Sequence, residues 1–445
     1  MAPPRRAHGG RVRGSDDRRR GGRPAHGHLV GRHARQADAG LEAVTDRRPP
    51  STGPLSHLTV VDLTHHVAGP YCTKLLASYG ARVLKVERPG GDPLRRIGPF
   101  VGGQPGPERS LPFLWLNAGK ESLVLDLKAE AGQALLLDLA ARADVLVENF
   151  APEVMTRLGL GTATLWRVNP RLVITSISNF GDSGPYRDWK ATEMELYALS
   201  GGMVATGDPG APPLAAGPAV TQYTAGLHAY LGTLMALLRR ARTGRGDRVE
   251  VSIHESALDN VEIALVEALH LGVVARRTGD RHAMVPWQCY PCRDGQVAII
   301  GGPVRRWLGA LDLFGTPELG APRFRHMRDR IARREEFERL LTASLARRDK
   351  REVWQEGQAR GVAFGYLADL GDALGSPQLR ARGFFQPSAA HPEVGVHEHA
   401  GPPFRLGPWR PGRAPRLGEH TDAVLRELGH APARVAAWRA EGVVA

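Results

Sequence analysis

Two short groups of residues invite a chemical reading before anything else is known of this chain. Cys289-Tyr290-Pro291-Cys292 has the CxxC spacing of a zinc or thiol redox pair. Zinc needs a second ligand pair and the chain holds 3 cysteines in all, so two small strand residues is the plainer account. His65 and His66 follow the first apolar run, where an imidazole either contacts a substrate or fills a loop. The phosphate-cradling patterns are missing: the turn after that run reads HHVAGP rather than GxGxxG, and neither GxxxxGKS nor GxxxxGKT occurs. Nicotinamide, flavin and P-loop chemistry lose their main support.

The elements that must position such residues follow from the hydropathy pattern. LTVVDLT (58–64) is an apolar, β-branched run of buried-strand length. HHVAGPYCTKLLASYG then predicts a helix opened by Pro70 and closed by Gly80, and ARVLKVERP a second strand. The alternation repeats through LVLDL (123–127), a helix near 129–142, DVLVENF (144–150), a helix near 152–168 and LVITSIS (172–178). Strand and helix in turn predict a doubly wound α/β domain with its ligand beyond the carboxyl ends of the strands. A long helix is expected from Thr221, a plausible cap, to about Arg242, then a strand in TGRGDRVEVSI. Residues 250–365 read as a smaller α/β domain with one clear strand, QVAII (296–300), and 370–445 as a Pro- and Gly-rich return ending in the helix TDAVLRELG.

Composition narrows the class. The 445 residues are 42% hydrophobic and 24% charged, which suits one large domain or two ordinary ones, residues 54–245 being the first part of the larger. Residues 1–53 hold 12 Arg against 5 acidic residues, a net +7 out of a formal +13. That Arg/Gly-rich tail has too little apolar content to order and is expected to be disordered. A nucleic-acid arm or a transit peptide is an alternative, with affinity that would fall steeply with salt, but neither is the expectation. No spanning helix or secretory leader is expected, which leaves a cytoplasmic protein of a reducing compartment.

In order, LTVVDLTHHVAGPYCTKLLASYGARVLKVERPGGDPLR, LNAGKESLVLDLK, ADVLVENFAPEVMTRLGL, NPRLVITSISNFGDSGPY, TGRGDRVEVSI and PRLGEHTDAVLRELG resemble the CoA-transferases of family III, the CaiB/BaiF group. The likeness runs from about residue 55 to the end of the chain. It implies a Rossmann-like large domain built from both chain ends around a smaller α/β middle domain, and an interlocked homodimer with active sites between domains and subunits. It also implies an acyl-CoA and a small carboxylic acid as substrates, with no tightly bound cofactor, no metal and no membrane.

Positions matching the family's CoA contacts are Ala68, Arg88, Lys128, Asn149, Phe150, Arg157, Leu158 and Lys190. Cations suit the phosphates of CoA, and Lys128 and Lys190 are two of only 6 lysines in an Arg-dominated chain. The family's nucleophilic Asp, which attacks the thioester, corresponds to Gln222 in TQYTAG. A carboxamide cannot form an anhydride, but it can donate a hydrogen bond to a thioester oxygen. The nearest matching acid is Glu193 in KATEMELYALSGG, with Lys190 three residues earlier and Glu195 pointing elsewhere on the helix. Glu193 is read as a general acid/base or the nucleophile, against a plain capping role. Replacement by Gln is expected to remove turnover and to leave CoA affinity nearly intact. No histidine lies between His66 and His228, which argues against the His-carboxylate pair of the related racemases. An acyl-CoA lyase, dehydratase or isomerase, and a catalytically silent CoA-binding paralogue, stay open beside the transferase.

Overall fold

The computed structural model describes residues 53–301 and 304–445; the tail expected over 1–53 falls outside them, apart from Gly53 at its end. Chain order begins with β1 (Thr59–Asp62), α1 (Ala68–Ser78), β2 (Arg82–Glu87), α2 (Leu111–Leu116), β3 (Glu121–Val124) and α3 (Glu130–Arg142). It continues with β4 (Val145–Glu148), α4 (Val154–Arg157), α5 (Thr162–Val168), β5 (Val173–Ser178), α6 (Glu193–Leu199), α7 (Val220–Thr243) and β6 (Arg248–Ser252). The six strands form one parallel sheet in the order β3-β2-β1-β4-β5-β6. Strands buried on both faces are rich in apolar residues, which alternate between two cores. Val61, Leu84, Leu146 and Ile174 pack on one face. Val60, Val83, Val145, Val147 and Val173 pack on the other, against Cys72, Leu75 and Leu76 of α1 and Ala225, Ala229 and Tyr230 of α7.

After β6 come α8 (Glu262–Leu271) and the antiparallel sheet β7 (Trp287–Cys292), β8 (Gly295–Ile300) and β9 (Ala363–Tyr366). That sheet has its own core around Trp307, Phe324, Phe337 and Phe364. Cys289 and Cys292 lie on β7, opposite Ala298 and Gly295, and all three cysteines are free thiols. The chain then returns through the pair β10 (Phe385–Pro387) and β11 (Glu398–Ala400), α9 (Thr421–Glu427) and α10 (Pro432–Ala440). Val424, Leu425, Val435, Trp438, Val443 and Val444 enter the first core, so both ends of the described chain build one face of the large sheet.

Three local expectations change. The helix expected over 152–168 is two, α4 and α5, because Gly159 takes a left-handed φ of 73° between them. Thr221 is not the cap of α7: Ala219 holds that place at φ 61° with no side-chain hydrogen bond of its own. The strand expected over 123–127 begins two residues earlier, at Glu121. Among the described residues no helix is long and apolar enough to cross a membrane.

Candidate active site at the carboxyl edge of the sheet

Strand order reverses between β1 and β4, and a parallel sheet opens a ligand crevice at such a point. β1 ends there in Asp62, whose buried carboxylate accepts the Thr64 N–H (2.9 Å) and hydroxyl (2.5 Å), the Thr73 hydroxyl (2.7 Å) and the Lys120 ammonium (3.0 Å). Burial raises its pKa, but Lys120, Lys85 and the hydroxyls prevail and bring it down to about 2. Lys85 donates to the Thr64 carbonyl at 2.7 Å and pairs with Asp92 at 2.9 Å, while Arg95 pairs with Glu87 at 2.7 Å. These pairs pin the start of the β1–α1 turn.

The far side of that turn is held from β4. Asn149 accepts the His65 N–H at 2.9 Å and donates to the His65 carbonyl at 2.8 Å, so its whole amide is engaged across the crevice. His66 follows in the left-handed region, φ 63°, with its ring edge-on to His65, which in turn lies 5.7 Å from the Phe150 ring. Burial, with His66 alongside, keeps the His65 imidazole neutral by lowering its pKa to about 4. α1 then opens at the buried Ala68 without a side-chain cap, leaving its first N–H groups to a ligand or to solvent. A Cβ on Gly226 would lie 2.5 Å from the Ala68 carbonyl oxygen, so a glycine is what lets α7 approach the start of α1.

α7 receives its cap from another element. Glu193, the first residue of α6, accepts the Thr221 N–H (2.9 Å), the Thr221 hydroxyl and the Gln222 N–H (3.3 Å). A carboxylate at a helix N-terminus satisfies stranded donors and meets the positive end of the helix dipole. Glu195 turns back onto Thr192, accepting its N–H and hydroxyl, which leaves Glu193 alone to reach α7. Two predicted residues 29 apart in sequence, Glu193 and Gln222, are thus in direct contact. Lys190 is exposed and makes no ion pair with Glu193. The half-buried Gln222 carboxamide has no hydrogen-bond partner among the described residues.

The predicted coenzyme contacts all fall in segments that follow strand ends in the chain. Arg88 follows β2, Lys128 follows β3, Asn149 and Phe150 follow β4, Arg157 and Leu158 close α4, and Lys190 lies in the loop after β5. Arg88, Lys128, Arg157 and Lys190 are all exposed, and none is in an ion pair among the described residues. Leu158 and Phe150 pack partly onto the first core, and the Phe150 N–H is bound by Glu148 at 2.9 Å.

A cavity of about 410 Å³ lies elsewhere, along β4, β5 and β6 on the face that α4 and α5 cover. Phe150 is the single predicted contact that lines it. Its charged groups are Glu148, Glu153, Asp182, Arg248 and Glu250, and Arg248 is tied to Asp182, so it offers no free cation to a phosphate. Arg88, Lys128, Arg157 and Lys190 do not line this cavity. No group of His, Cys, Asp and Glu among the described residues is placed to hold a metal. The sequence reasoning missed Asp62, Lys85, Glu87 and Lys120; the available signal was charge inside otherwise apolar strands, as in RVLKVE.

Sheet and crevice define an α/β protein whose six-stranded parallel sheet reverses its strand order between β1 and β4. The model of CoA-transferase family III matches residues 55–421, and the chain belongs to that family. It is similar to the acetyl-CoA:oxalate CoA-transferase of Acetobacter aceti, 36% identical over 84% of this chain and 96% of that protein. It is also similar to a succinyl-CoA:(R)-benzylsuccinate CoA-transferase subunit of Thauera aromatica, 34% identical over 84% and 94%. The crystal structure of a CaiB/BaiF family protein from Brucella suis superposes with a TM-score of 0.76 at 30% identity, covering 84% of this chain and 99% of that one.

Proposed function

We propose that this enzyme, which moves CoA between an acyl-CoA thioester and a carboxylic acid, uses a short-chain acyl-CoA as donor and a small dicarboxylic acid as acceptor. The acceptors named for the two curated relatives, oxalate and benzylsuccinate, are both dicarboxylic acids. The observation that supports the placement of the coenzyme is the set of four exposed cations without an ion pair, Arg88, Lys128, Arg157 and Lys190, all in segments that follow the carboxyl ends of strands in the chain. Arg82 and Arg95, by contrast, are spent on carboxylates, Arg82 on Glu121 and Arg95 on Glu87. Free cations there suit the phosphates of CoA, and the uncapped start of α1 at Ala68 adds backbone donors. Phe150 and Leu158 supply apolar surface. Asn149 acts through the His65 backbone.

In this reading the reacting thioester lies at the start of α7. Gln222 donates its free carboxamide to the oxygen that gains charge, and Glu193 holds the first turn of α7 so that this donor is placed in advance. The domains are taken as 54–245 with 370–445 for the larger and 250–365 for the smaller. Pairing of two such chains is supported by apolar faces left open on two helices. Leu231, Met235 and Leu238 of α7 are 48%, 70% and 68% exposed, and Ile263, Val266 and Leu269 of α8 are exposed as well. Three free thiols accord with a cytoplasmic setting.

The test is a mass-spectrometric exchange assay. Purified protein is given acetyl-, formyl- and succinyl-CoA together with oxalate, glutarate and benzylsuccinate. New acyl-CoA species paired with the released donor acid are expected. An acyl-CoA altered without use of a free acid would place the enzyme among lyases or isomerases, and CoA binding with no product would mark a silent binder.

A further inference from the structure

Resting on that transferase reading, the next question is which atom attacks the thioester. Exchange of CoA between two acids needs a carboxylate nucleophile, supplied by the protein or by the second substrate. The carboxylates around the crevice are all engaged. Asp62 is closed in by Thr64, Thr73 and Lys120, Glu87 by Arg95 and Ser122, and Asp92 by Lys85 and the Leu94 N–H. Glu148 is buried and accepts the Phe150 N–H at 2.9 Å, and burial shifts its pKa up. Glu193 spends one oxygen on the Thr221 N–H and the other on the Thr221 hydroxyl and Gln222 N–H. Because Ala219 offers α7 no cap, an attack by Glu193 would strip the helix of the one it has. Position 222 itself carries a carboxamide.

We propose that the acceptor acid's own carboxylate is the nucleophile, so that CoA passes in a single ternary complex and no acyl or CoA adduct forms on the protein. A carboxylate oxygen of the acceptor bonds to the thioester carbonyl, the C–S bond breaks, and the electron pair leaves with CoA thiolate. The two substrates are then joined as a mixed anhydride. The thiolate, held by its phosphates at the sheet edge, attacks the carbonyl that came from the acceptor, and the donor leaves as a carboxylate. One negative charge is exchanged for another in each step, so no net proton is taken or released. Glu193 is then a positioning residue that fixes α7, with Gln222 donating to the carbonyl oxygen in both steps.

The test is a single turnover with the full-length protein in excess over acetyl-CoA and with oxalate carrying oxygen-18 in every carboxylate position. The acetate released in that first turnover should carry one oxygen-18 atom, and the protein should keep its mass. Unlabelled acetate with oxygen-18 in the Glu193 peptide, or a CoA thioester trapped on the protein, would overturn the proposal and leave the transferase reading intact. If acetyl-CoA and oxalate do not react, the experiment is run on the donor and labelled acceptor found by the exchange assay. Absence of exchange with every pair ends both readings together. Glu193→Gln should slow the turnover while the acetate formed still carries the label, which a nucleophilic Glu193 does not allow.

Discussion

The sheet is held by different chemistry on the two sides of the crevice between β1 and β4. On the side of β1, β2 and β3, charge is buried in pairs: Asp62 with Lys120, Lys85 with Asp92, and Glu87 with Arg95, each side chain at 0% or 1% exposure. On the side of β4, β5 and β6 the buried polar groups lean neutral. Thr175 and Thr233 share a hydroxyl hydrogen bond at 2.7 Å, burial raises the pKa of Glu148, the Ser178 hydroxyl has no partner, and a cavity remains open. A buried ion pair is indifferent or costly as a source of stability, but it tolerates little displacement. The paired side therefore sets the backbone of the β1–α1 turn in advance, and the neutral side holds the room.

Breaking the paired side should give the largest effect. Lys120→Met leaves Asp62 buried beside one cation fewer and should cost about 3–5 kcal/mol, read from urea denaturation. Two similar substitutions sharpen the contrast. Glu87→Gln should fall in that same range by depriving Arg95, whereas Glu148→Gln should stay within about 1 kcal/mol at neutral pH. A carboxyl whose folded pKa lies above its unfolded value contributes stability that is present at low pH and lost as pH rises through the folded value. Glu148→Gln should therefore remove a loss of stability that sets in as pH rises above 4.5.

A smaller effect concerns the imidazoles. Burial lowers both His65 and His399 from 6.5 to about 4. Between those values the unfolded chain holds more protons than the folded one, so stability should fall as pH drops from 6.5 toward 4. His399→Phe, which preserves a ring stacked on Trp115, should remove part of that slope in denaturation midpoints taken across pH. The smallest effects belong to the exposed edge: Arg88, Lys128, Arg157 or Lys190 changed singly to Gln should raise KM for the acyl-CoA by roughly threefold to tenfold. Each effect should shrink at high salt, with kcat nearly unchanged.

The parallel sheet was readable because β-branched runs such as VVD and VITSIS put Val or Ile on both faces, and because strands and helices alternate at short spacing. Boundaries failed where one residue decides them, as at Gly159. α10 went unread, since the sequence reading ended at the helix in TDAVLRELG although Pro432 marks a helix start. The site was legible as a set of positions and not as a geometry. Nothing in the sequence ties Glu193 to Thr221, Asn149 to the His65 backbone 84 residues away, or Lys120 to Asp62, because the fold alone makes those neighbours.

The most direct test of the account is the steady-state behaviour of Glu193→Gln with acetyl-CoA and oxalate, or with whichever pair the exchange assay identifies. A carboxylate that places the start of α7 and the Gln222 donor should show a fall in kcat of about 100-fold, in the range seen when one preorganised donor is lost. KM for the acyl-CoA should stay within about threefold, and stability should drop by only about 1 kcal/mol, the size of a helix cap. Unchanged turnover in that variant would contradict the assignment of the reacting centre to the start of α7.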